Sequence, residues 1–418
     1  MNTVFASIRR QFAKHLWIRP TLAALLSMGL AAFAYWFGQT FEQRFDLNIS
    51  EDSLVSLLGT FASSMLSVAT FTLAGIITAA SSASNSTTPR ASRLILADNT
   101  AQFVLSSFVA AFIYGFVSIF ALKAFHYGNN GRFILFLGLI GIVSLVLVAF
   151  LRWVNYAMRL GRQSTTIEKL VVTAKAALQH NVVGTFGAKR WDGAIPADSC
   201  PVYPQSYGYV VLLNVPKVQA LAAAQDCQVI LATRPAEVAD KTLPLAYITP
   251  AQVADEALVN AVRQTITLDT WRQAEVDVRY NLLNLAETAD RALSPAVNDP
   301  GTAINILHVL QELLAHWAEI RSDEACFQVE YPAVSVLPLT AEELVNDSFS
   351  PIARDGAAIA EVGIRLQKVL ASLTRHGDAE LAAAARQMSA TALEFAEQAL
   401  IASSQRQKVR DAAAQVLA

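Results

Sequence analysis

The sequence predicts a membrane α-helical protein, in which four transmembrane helices are followed by a cytoplasmic α+β module and a helical domain. Four long apolar runs occupy the first 155 residues, and each is long enough for the roughly 20 residues that a helix needs to cross a bilayer. Short β-branched runs follow them, and then apolar residues at three- and four-residue steps. We therefore expect a transmembrane domain over 1–165, a linker helix with a small α+β module over 166–250, and a mainly helical domain over 251–418.

The predicted spans carry no Asp, Glu, Lys or Arg in their central turns. Their approximate bounds are 20–39, 54–80, 102–125 and 133–155. Lys and Arg outnumber Asp and Glu by 12 to 5 over residues 1–165, whereas acidic residues lead by 29 to 20 over the remainder. The basic half suits contact with anionic lipid, and an acidic tail without a Lys/Arg cluster argues against a nucleic-acid partner.

Basic residues near the span ends predict the orientation, because they are retained on the cytoplasmic side of the membrane. Arg44, Lys123 and Arg132 lie on one side of the predicted spans. Nine others lie on the side of the N-terminus, the second loop and the tail: Arg9, Arg10, Lys14, Arg19, Arg90, Arg93, Arg152, Arg159 and Arg162. We therefore expect both the N-terminus and the C-terminal domain in the cytoplasm.

The second span differs from the others in length and polarity. As a helix, residues 54–80 would extend about 40 Å, which exceeds a hydrocarbon core of about 30 Å and requires tilt or projection into the cytoplasm. Hydroxyl residues recur along it at three- and four-residue steps, interrupted once by Ala74, and this spacing keeps them on one helix face. These pore-lining candidates are Ser56, Thr60, Ser63, Ser67, Thr70, Thr78 and Ser81.

Two interpretations of this polar face remain open. Small hydroxyl residues let membrane helices approach closely and hydrogen-bond across the contact, which predicts a packing seam. The same face predicts the water-facing wall of a pore if several copies surround an axis. Arg90 and Arg93 follow the span at its predicted cytoplasmic mouth, where they either form a positive ring that favours anions or contact lipid head groups. Gly75 is either a hinge or a close-contact residue.

Beyond residue 160 the sequence predicts a series of shorter elements. In chain order they are a helix to about residue 180, a loop over 191–206, strands at 208–214 and 227–233 around a helix at 217–225, a strand pair at 237–239 and 243–248, helices at 251–265, 271–293 and 302–320, a strand pair within 327–338, and helices at 352–373 and 380–402.

A Pro-rich turn separates two of the predicted helices. Ser294-Pro295 should end the first helix, because proline disfavours helical geometry in the residue before it. Asn298 or Asp299 should cap the next helix, with Pro300 in its first turn. The alternative is a ligand-binding role for Ser294, Asn298 and Asp299, since exposed N–H groups at a helix start bind anions.

The sequence carries no P-loop, dinucleotide-binding glycine pattern, HExxH or nucleophile elbow, so we expect no enzyme and assign no catalytic residue. The three cysteines form no CxxC pair and the six histidines are dispersed, so we expect neither a metal site nor a cofactor. The spans also lack the buried acids that ion-coupled transporters commonly use. Glu275, Asp277 and Arg279 are interpreted as a solvated helix face.

Three blocks of sequence resemble one protein family. They are SSAS at 81–84 with TPRASR at 88–93 and NTAQFVL at 99–105, then GYV at 208–210, and then RALSPAVNDP at 291–300 with Thr302 and Ala303. In this order they resemble the bacterial predicted membrane proteins of domain-of-unknown-function family 2254 over nearly the whole chain. The resemblance implies four spans with a cytoplasmic C-terminal domain in the bacterial inner membrane, and it supplies no activity. Residues 275–281 depart from the family pattern.

The leading hypothesis is therefore a homo-oligomeric channel or channel-like pore in the lipid bilayer, which passes a small ion and is regulated from the cytoplasm. The competing hypothesis is a membrane-anchored sensor or scaffold whose cytoplasmic domain binds a ligand or a partner. The two hypotheses differ in the role of the second span, which lines an axis between copies in the first and packs inside one subunit in the second.

Overall fold

In a computed structural model the chain forms two compact units, Met1–Thr166 and Ile167–Ala418. We call them the membrane unit and the tail unit, and each is described by itself. The structure describes residues 18–40, 49–86, 99–158, 163–179 and 183–417.

Long apolar helices make up the described part of the membrane unit, and four of them are long and apolar enough to cross a membrane by length and composition. They are α1 (Ile18–Thr40), α2 (Glu51–Ser86), α3 (Asn99–Ala124) and α4 (Asn129–Ala157). The four predicted spans are thus confirmed as helices. With 36 residues, α2 extends about 54 Å at 1.5 Å per residue, well beyond a hydrocarbon core of about 30 Å.

The helix α3 is central to the membrane unit, because α1, α2 and α4 all pack against it. One apolar cluster joins Leu54 and Leu58 of α2 to Tyr114 and Leu122 of α3 and to Leu135 of α4. A second cluster, further along the same helices, contains Ala69 and Ile76 of α2, Val104 and Phe108 of α3, and Trp153 of α4. The side of α2 that faces α3 is therefore apolar over most of its length.

Glycines mark the closest contacts of α2. A Cβ added at Gly115 of α3 would lie 2.8 Å from the Cβ of Ala62 and 3.1 Å from the carbonyl oxygen of Leu58, which is inside van der Waals contact. A Cβ at Gly75 of α2 would lie 3.3 Å from the ring of Trp153. Because α2 continues as one helix through Gly75 against Trp153, the structure favours the close-contact interpretation of this glycine.

Two small sheets form the α+β part of the tail unit. Their strands are β1 (Ala188–Arg190), β2 (Cys200–Val202), β3 (Gly208–Leu213), β4 (Gln228–Leu231), β5 (Val238–Ala239), β6 (Ala246–Thr249), β7 (Ile266–Asp269) and β8 (Tyr331–Val336). The first sheet has the order β1-β8-β4-β6-β2, with β8 parallel to both β1 and β4, and the second has the order β5-β3-β7. Both sheets thus include a strand from beyond residue 250.

Helices supply the rest of the tail unit. After α4 the chain forms α5 (Gln163–Ala177), α6 (Val215–Ala224), α7 (Glu256–Arg263), α8 (Val278–Leu293), α9 (Pro300–Arg321), α10 (Ala341–Asp355), α11 (Ala360–Leu373), α12 (Ala379–Ala399) and α13 (Ser403–Leu417), with short 3₁₀ turns at Ala251–Val253 and Glu324–Phe327. Trp317 of α9 and Phe349 of α10 are fully buried in the helical part.

Several predicted elements of the tail are wrong. The loop at 191–206 contains β2, and the helix at 271–293 begins only at Val278. The strands at 237–239 and 243–248 do not pair with each other, because β5 joins β3 while β6 joins β2 and β4 of the other sheet. The strand pair within 327–338 is the single strand β8, whose partners β4 and β1 lie about 105 and 145 residues earlier in the chain. The helix at 352–373 is interrupted, because α10 ends at Asp355 and α11 begins at Ala360. A Cβ at Gly356, in the turn between them, would lie 2.6 Å from Cγ1 of Val362, so this turn accommodates a glycine.

Candidate functional site

The seven pore-lining candidates of α2 all lie on one exposed face of the chain. We call this set the hydroxyl face; its members are Ser56, Thr60, Ser63, Ser67, Thr70, Thr78 and Ser81, and Ala74, which shares the face, is also exposed. The opposite face carries the buried apolar residues that pack on α3. Within the described residues, the hydroxyl face is therefore not a packing seam between helices of one chain.

Three of the seven hydroxyls on this face are bonded to their own helix. The Oγ of Ser63 donates to the carbonyl of Thr60 at 3.1 Å, and the Oγ of Ser67 donates to the carbonyl of Ser63 at 3.1 Å. The Oγ1 of Thr70 donates to the carbonyl of Leu66 at 2.9 Å. Each proton is thus used inside α2, whereas the oxygen lone pairs still face outward and can accept hydrogen bonds.

Large exposed apolar side chains border the hydroxyl face on both sides. Leu66 is 48% exposed and Phe71 is 74% exposed, and Leu57 and Ile77 are exposed to a similar degree. At 100° per residue these positions flank the hydroxyls rather than interrupt them. The result is a narrow polar strip with apolar margins along the free surface of α2.

The two predicted residues of the cytoplasmic mouth, Arg90 and Arg93, lie outside the described residues. The hydroxyl face is therefore described from Ser56 to Ser81, and the positive ring predicted beyond it stays a prediction.

The turn at 294–300 has the structural role that its sequence predicts. Ser294 ends α8 with extended backbone angles, and its Oγ donates to the carbonyl of Arg291 at 2.7 Å. Asp299 caps α9 by accepting the N–H of Thr302 at 3.1 Å and its hydroxyl at 2.6 Å. These bonds from Thr302 hold the pKa of Asp299 below its usual value. Asn298 has a positive φ of 50°. It is exposed, whereas Ser294 and Asp299 are partly buried.

A partly buried charge network joins α8 and α10 to the segment between β4 and β5. Its members are Arg234, Glu237, Arg279, Glu343 and Asp347, and we call it the charge network. Arg234 binds Glu237 at 3.0 Å and also pairs with Glu343, although its side chain is only 6% exposed. Arg279 binds Asp347 at 2.6 Å and Glu343 at 3.1 Å. Each arginine thus bridges two carboxylates.

The charge network explains why Glu343 stays ionised in a partly buried position. Burial opposes ionisation of this carboxyl, but the Arg234 charge and the hydrogen bonds from Thr340 outweigh it and hold the pKa of Glu343 below its usual value. Thr340 and Glu343 also form a capping box that starts α10. Because the partners of Arg279 lie 64 and 68 residues away, no local sequence signal indicates this network.

The interpretation of Glu275, Asp277 and Arg279 as a solvated helix face is wrong for two of the three. Asp277 is buried, caps α8 through the N–H of Tyr280 at 2.8 Å, and binds Arg272 at 2.7 Å. Arg279 belongs to the charge network, and only Glu275 is exposed, in the turn that precedes α8. These acids and bases stabilise the fold of the tail unit.

One cavity of about 310 Å³ lies in the α+β part of the tail unit, and sequence reasoning missed it. Phe186, Glu330 and Tyr331 line it together with Val215 and Pro216 at the start of α6. Its volume falls at the lower end of the range for small-molecule pockets. Among the described residues no cluster of three or more His, Cys, Asp or Glu side chains is arranged to hold a metal ion, and the three cysteines are free.

Comparison with known proteins gives a family but no activity. The family described as "Predicted membrane protein (DUF2254)" matches residues 13–372. Uncharacterized proteins of Mycobacterium tuberculosis (strain H37Rv) and Mycobacterium bovis are each 25% identical over 271 residues, which cover 60% of this chain and 51% of the relative. The alignment thus spans about half the length of the curated relatives that the chain matches. No solved structure matches the chain.

Proposed function

The chain belongs to the DUF2254 family of predicted membrane proteins, as its sequence blocks indicate, and from that premise we propose that it is an oligomeric channel or channel-like pore with a regulatory tail. The family and the relatives carry no activity, so the proposal rests on the residues of this chain. One observation carries it. The hydroxyl face is exposed on the chain surface over 26 positions from Ser56 to Ser81. In a single copy this polar strip would contact lipid.

The dimensions and chemistry of the hydroxyl face suit a pore wall. From Ser56 to Ser81 a helix rises about 38 Å, enough to cross a hydrocarbon core of about 30 Å. The outward lone pairs accept hydrogen bonds from water, and the apolar margins at Leu66 and Phe71 are available to pack against neighbouring copies. Several copies of α2 around an axis would then enclose a hydroxyl-lined path.

The charge distribution supports an orientation for this pore. With the N-terminus, the second loop and the tail unit in the cytoplasm, the protein sits in the bacterial inner membrane with most span-flanking basic residues inside. Arg90 and Arg93 then form a positive ring at the cytoplasmic mouth and favour small anions. The proposal assigns the chain no catalytic activity. A reporter fused after Ala418 tests the orientation. A reporter located on the periplasmic side would contradict the proposed orientation.

Conductance of the purified protein in planar bilayers tests the pore. We expect single-channel steps whose size falls when Ser67 or Thr70 is replaced by leucine, because an apolar constriction closes by dewetting. Phe150→Leu is the control, since Phe150 is exposed on α4, away from the hydroxyl face and its margins, and it should leave conductance unchanged. Bilayers that stay silent under voltage, tension and changes of ion would contradict the proposal.

Cysteine accessibility gives a second test that needs no current. A water-soluble thiol reagent modifies Ser67→Cys rapidly if the position is wetted, because the reacting species is the thiolate. Leu66→Cys, one residue away on the apolar margin, should react slowly. Equal and slow reaction at both positions in an intact oligomer would place the hydroxyl face in lipid or in a dry contact and would remove the support for a pore.

The second candidate function, a membrane-anchored sensor, is favoured by the 310 Å³ cavity in the tail unit. In this alternative the spans only anchor and oligomerise, while the tail unit binds a ligand or partner at the cavity or near the turn at Ser294, Asn298 and Asp299. Thermal shift of the purified protein against a metabolite panel tests it, with Tyr331→Ala as the cavity variant. A ligand that raises the melting temperature, together with absent conductance, would favour the sensor.

A further inference from the structure

A second cavity lies in the membrane unit, between the later halves of α1 and α3. Its volume is about 390 Å³, and its described lining comes from α1, α3 and the segment that follows α3. Small side chains, Ala31 and Ala121, form its buried floor. Phe116 and Phe120 stand along its α3 side, and both rings are more than half exposed. The cavity is therefore a slot with an alanine floor and aromatic walls, and we call it the α1–α3 slot.

The end of the slot is built by packed tyrosines. The ring of Tyr35 lies 5.7 Å from that of Phe125 and 5.5 Å from that of Tyr127, measured between centroids. The hydroxyl of Tyr127 donates to the carbonyl of Ala31 at 2.9 Å, which holds the segment after α3 against α1. Tyrosines of this kind favour the membrane–water interface, so the slot opens within one leaflet and closes near its surface.

A single cation stands at the surface end of the slot among the described residues of α3. Lys123 is exposed in the last turn of α3, and it follows Phe116 by seven residues and Phe120 by three. This spacing places it on the same helix face as the two rings, about 10 Å above Phe116 at 1.5 Å per residue. An apolar slot that ends below a positive charge complements a molecule with an apolar chain and an anionic head.

We propose that the α1–α3 slot binds one acyl chain of a membrane phospholipid, whose phosphate lies at Lys123. The slot opens towards the hydrocarbon, where acyl chains surround the protein. Its walls are apolar and aromatic, so they offer dispersion contacts to a methylene chain and no hydrogen bond that an acyl chain would leave unsatisfied. The lipid is thus a bound component with a fixed position, and this holds whether or not the protein conducts.

Photo-crosslinking of the full chain in nanodiscs tests this site. The probe is a phosphatidylglycerol that carries a diazirine in one acyl chain, and mass spectrometry locates the labelled residues. We expect labels concentrated on slot residues of α1 and α3. Ala32→Phe, at an exposed position that lines the slot, should abolish most of that labelling by filling the space. Leu147→Phe on the exposed surface of α4 is the control and should leave it unchanged.

The head-group contact has its own variant. Lys123→Gln should lower slot labelling about fivefold, the equivalent of the roughly 1 kcal/mol that one basic residue contributes near an anionic lipid surface. Labels spread evenly over the exposed apolar surface, and insensitive to Ala32→Phe, would overturn the proposal. So would an unlabelled slot combined with a change of oligomer size in Ala32→Phe, because a second copy would then occupy the slot.

Discussion

The hydroxyl face of the membrane unit and the charge network of the tail unit place their polar side chains in opposite environments. On α2 the hydroxyls of Ser63, Ser67 and Thr70 are exposed, and each donates to a carbonyl of its own helix three or four residues earlier. In the tail unit Arg234 and Asp277 are buried, and Arg234 pairs with a carboxylate 109 residues away. The exposed groups thus need no tertiary partner, whereas the buried groups depend on one.

This difference follows from the cost of removing each group from water. A hydroxyl that donates to a carbonyl of its own helix keeps that hydrogen bond when its surroundings change. A buried charge must keep its partner, because an unpaired charge in a protein interior costs several kcal/mol. We therefore expect substitutions on the hydroxyl face to alter function without unfolding the chain, and substitutions in the charge network to unfold the tail unit.

The largest effect is expected at Arg234. Arg234→Ala should destabilise the tail unit by about 3–5 kcal/mol, the usual cost of removing one partner of a buried ion pair, and towards the lower end because Arg279 still neutralises Glu343. Hydrogen exchange of α8 and α10 in the detergent-solubilised protein measures it. Arg354→Ala is the control, since that side chain is 62% exposed beside Asp355 and its loss should cost about 0–1 kcal/mol. Equal losses of stability in Arg234→Ala and Arg354→Ala would contradict the expected difference between a buried and an exposed ion pair.

The next largest effect is expected in the membrane unit, where close packing rather than charge determines the loss of stability. Gly115→Ala forces a Cβ to 2.8 Å from that of Ala62 and should cost about 1–3 kcal/mol, as other overpacked contacts do. The same substitution at Gly141 of α4 meets open space and should be neutral or slightly stabilising. Thermal unfolding of both variants in detergent checks the pair, and a stable Gly115→Ala protein would show that α2 and α3 separate easily.

A smaller, pH-dependent effect is expected at Asp290 of α8. Burial, then the negative charges of Asp355 and Glu287, raise the pKa of this carboxyl to about 7, and the positive charge on Arg354 only partly opposes them. Since the folded pKa lies above the unfolded one, Asp290 binds a proton more tightly in the fold. Its contribution to stability is therefore complete below about pH 4 and is lost as the pH rises towards about 7.

Asp290→Asn tests that sign. The variant should match the original protein at pH 4 and exceed its stability at pH 8 by about 1–2 kcal/mol, after allowance for partial solvent screening of the carboxylate. Melting temperatures of the two proteins across this range measure the difference. A difference that is instead largest at acidic pH would mean that Asp290 is held ionised by Arg354.

The smallest effect is expected at the cap of α9. Asp299→Ala removes an acceptor for two bonds from Thr302 and should cost about 1 kcal/mol. Asn298→Gly, next to it, keeps the cap and relieves a φ of 50°, so it should be neutral or mildly stabilising. Hydrogen exchange at the start of α9 separates the two. An unchanged α9 in Asp299→Ala, together with loss of a ligand response, would shift the role of this turn towards binding.

Much of the architecture could be predicted from the sequence, because its signals are local. The four apolar runs, the hydroxyl period of α2 and the Asp299 cap each depend on residues within a few turns of one another. The pairing of β5, β6 and β8 could not be predicted in the same way. Each of these strands is a few residues long, and its partner is chosen by packing between distant segments rather than by the adjacent strand.

The candidate sites differ in the same way, between those marked by a local sequence signal and those built from distant segments. The hydroxyl face of α2 was found because a period of three and four residues is visible without any tertiary contact. The charge network and the two cavities were not found, because Arg234, Glu343 and the floor of the α1–α3 slot come from segments that are far apart in the chain. A residue such as Asp277 looks the same in sequence whether it is solvated or buried beside Arg272.

The contact between Gly115 and Ala62 has a mechanical consequence. A Cβ at Gly115 of α3 would lie 2.8 Å from that of Ala62, so the two helices pack at close range and should resist rolling past each other. We therefore expect α2 and α3 to move together, with α1 and α4 packed against α3. If the proposed pore opens and closes, we expect α2 and α3 to tilt as a pair rather than α2 to rotate alone.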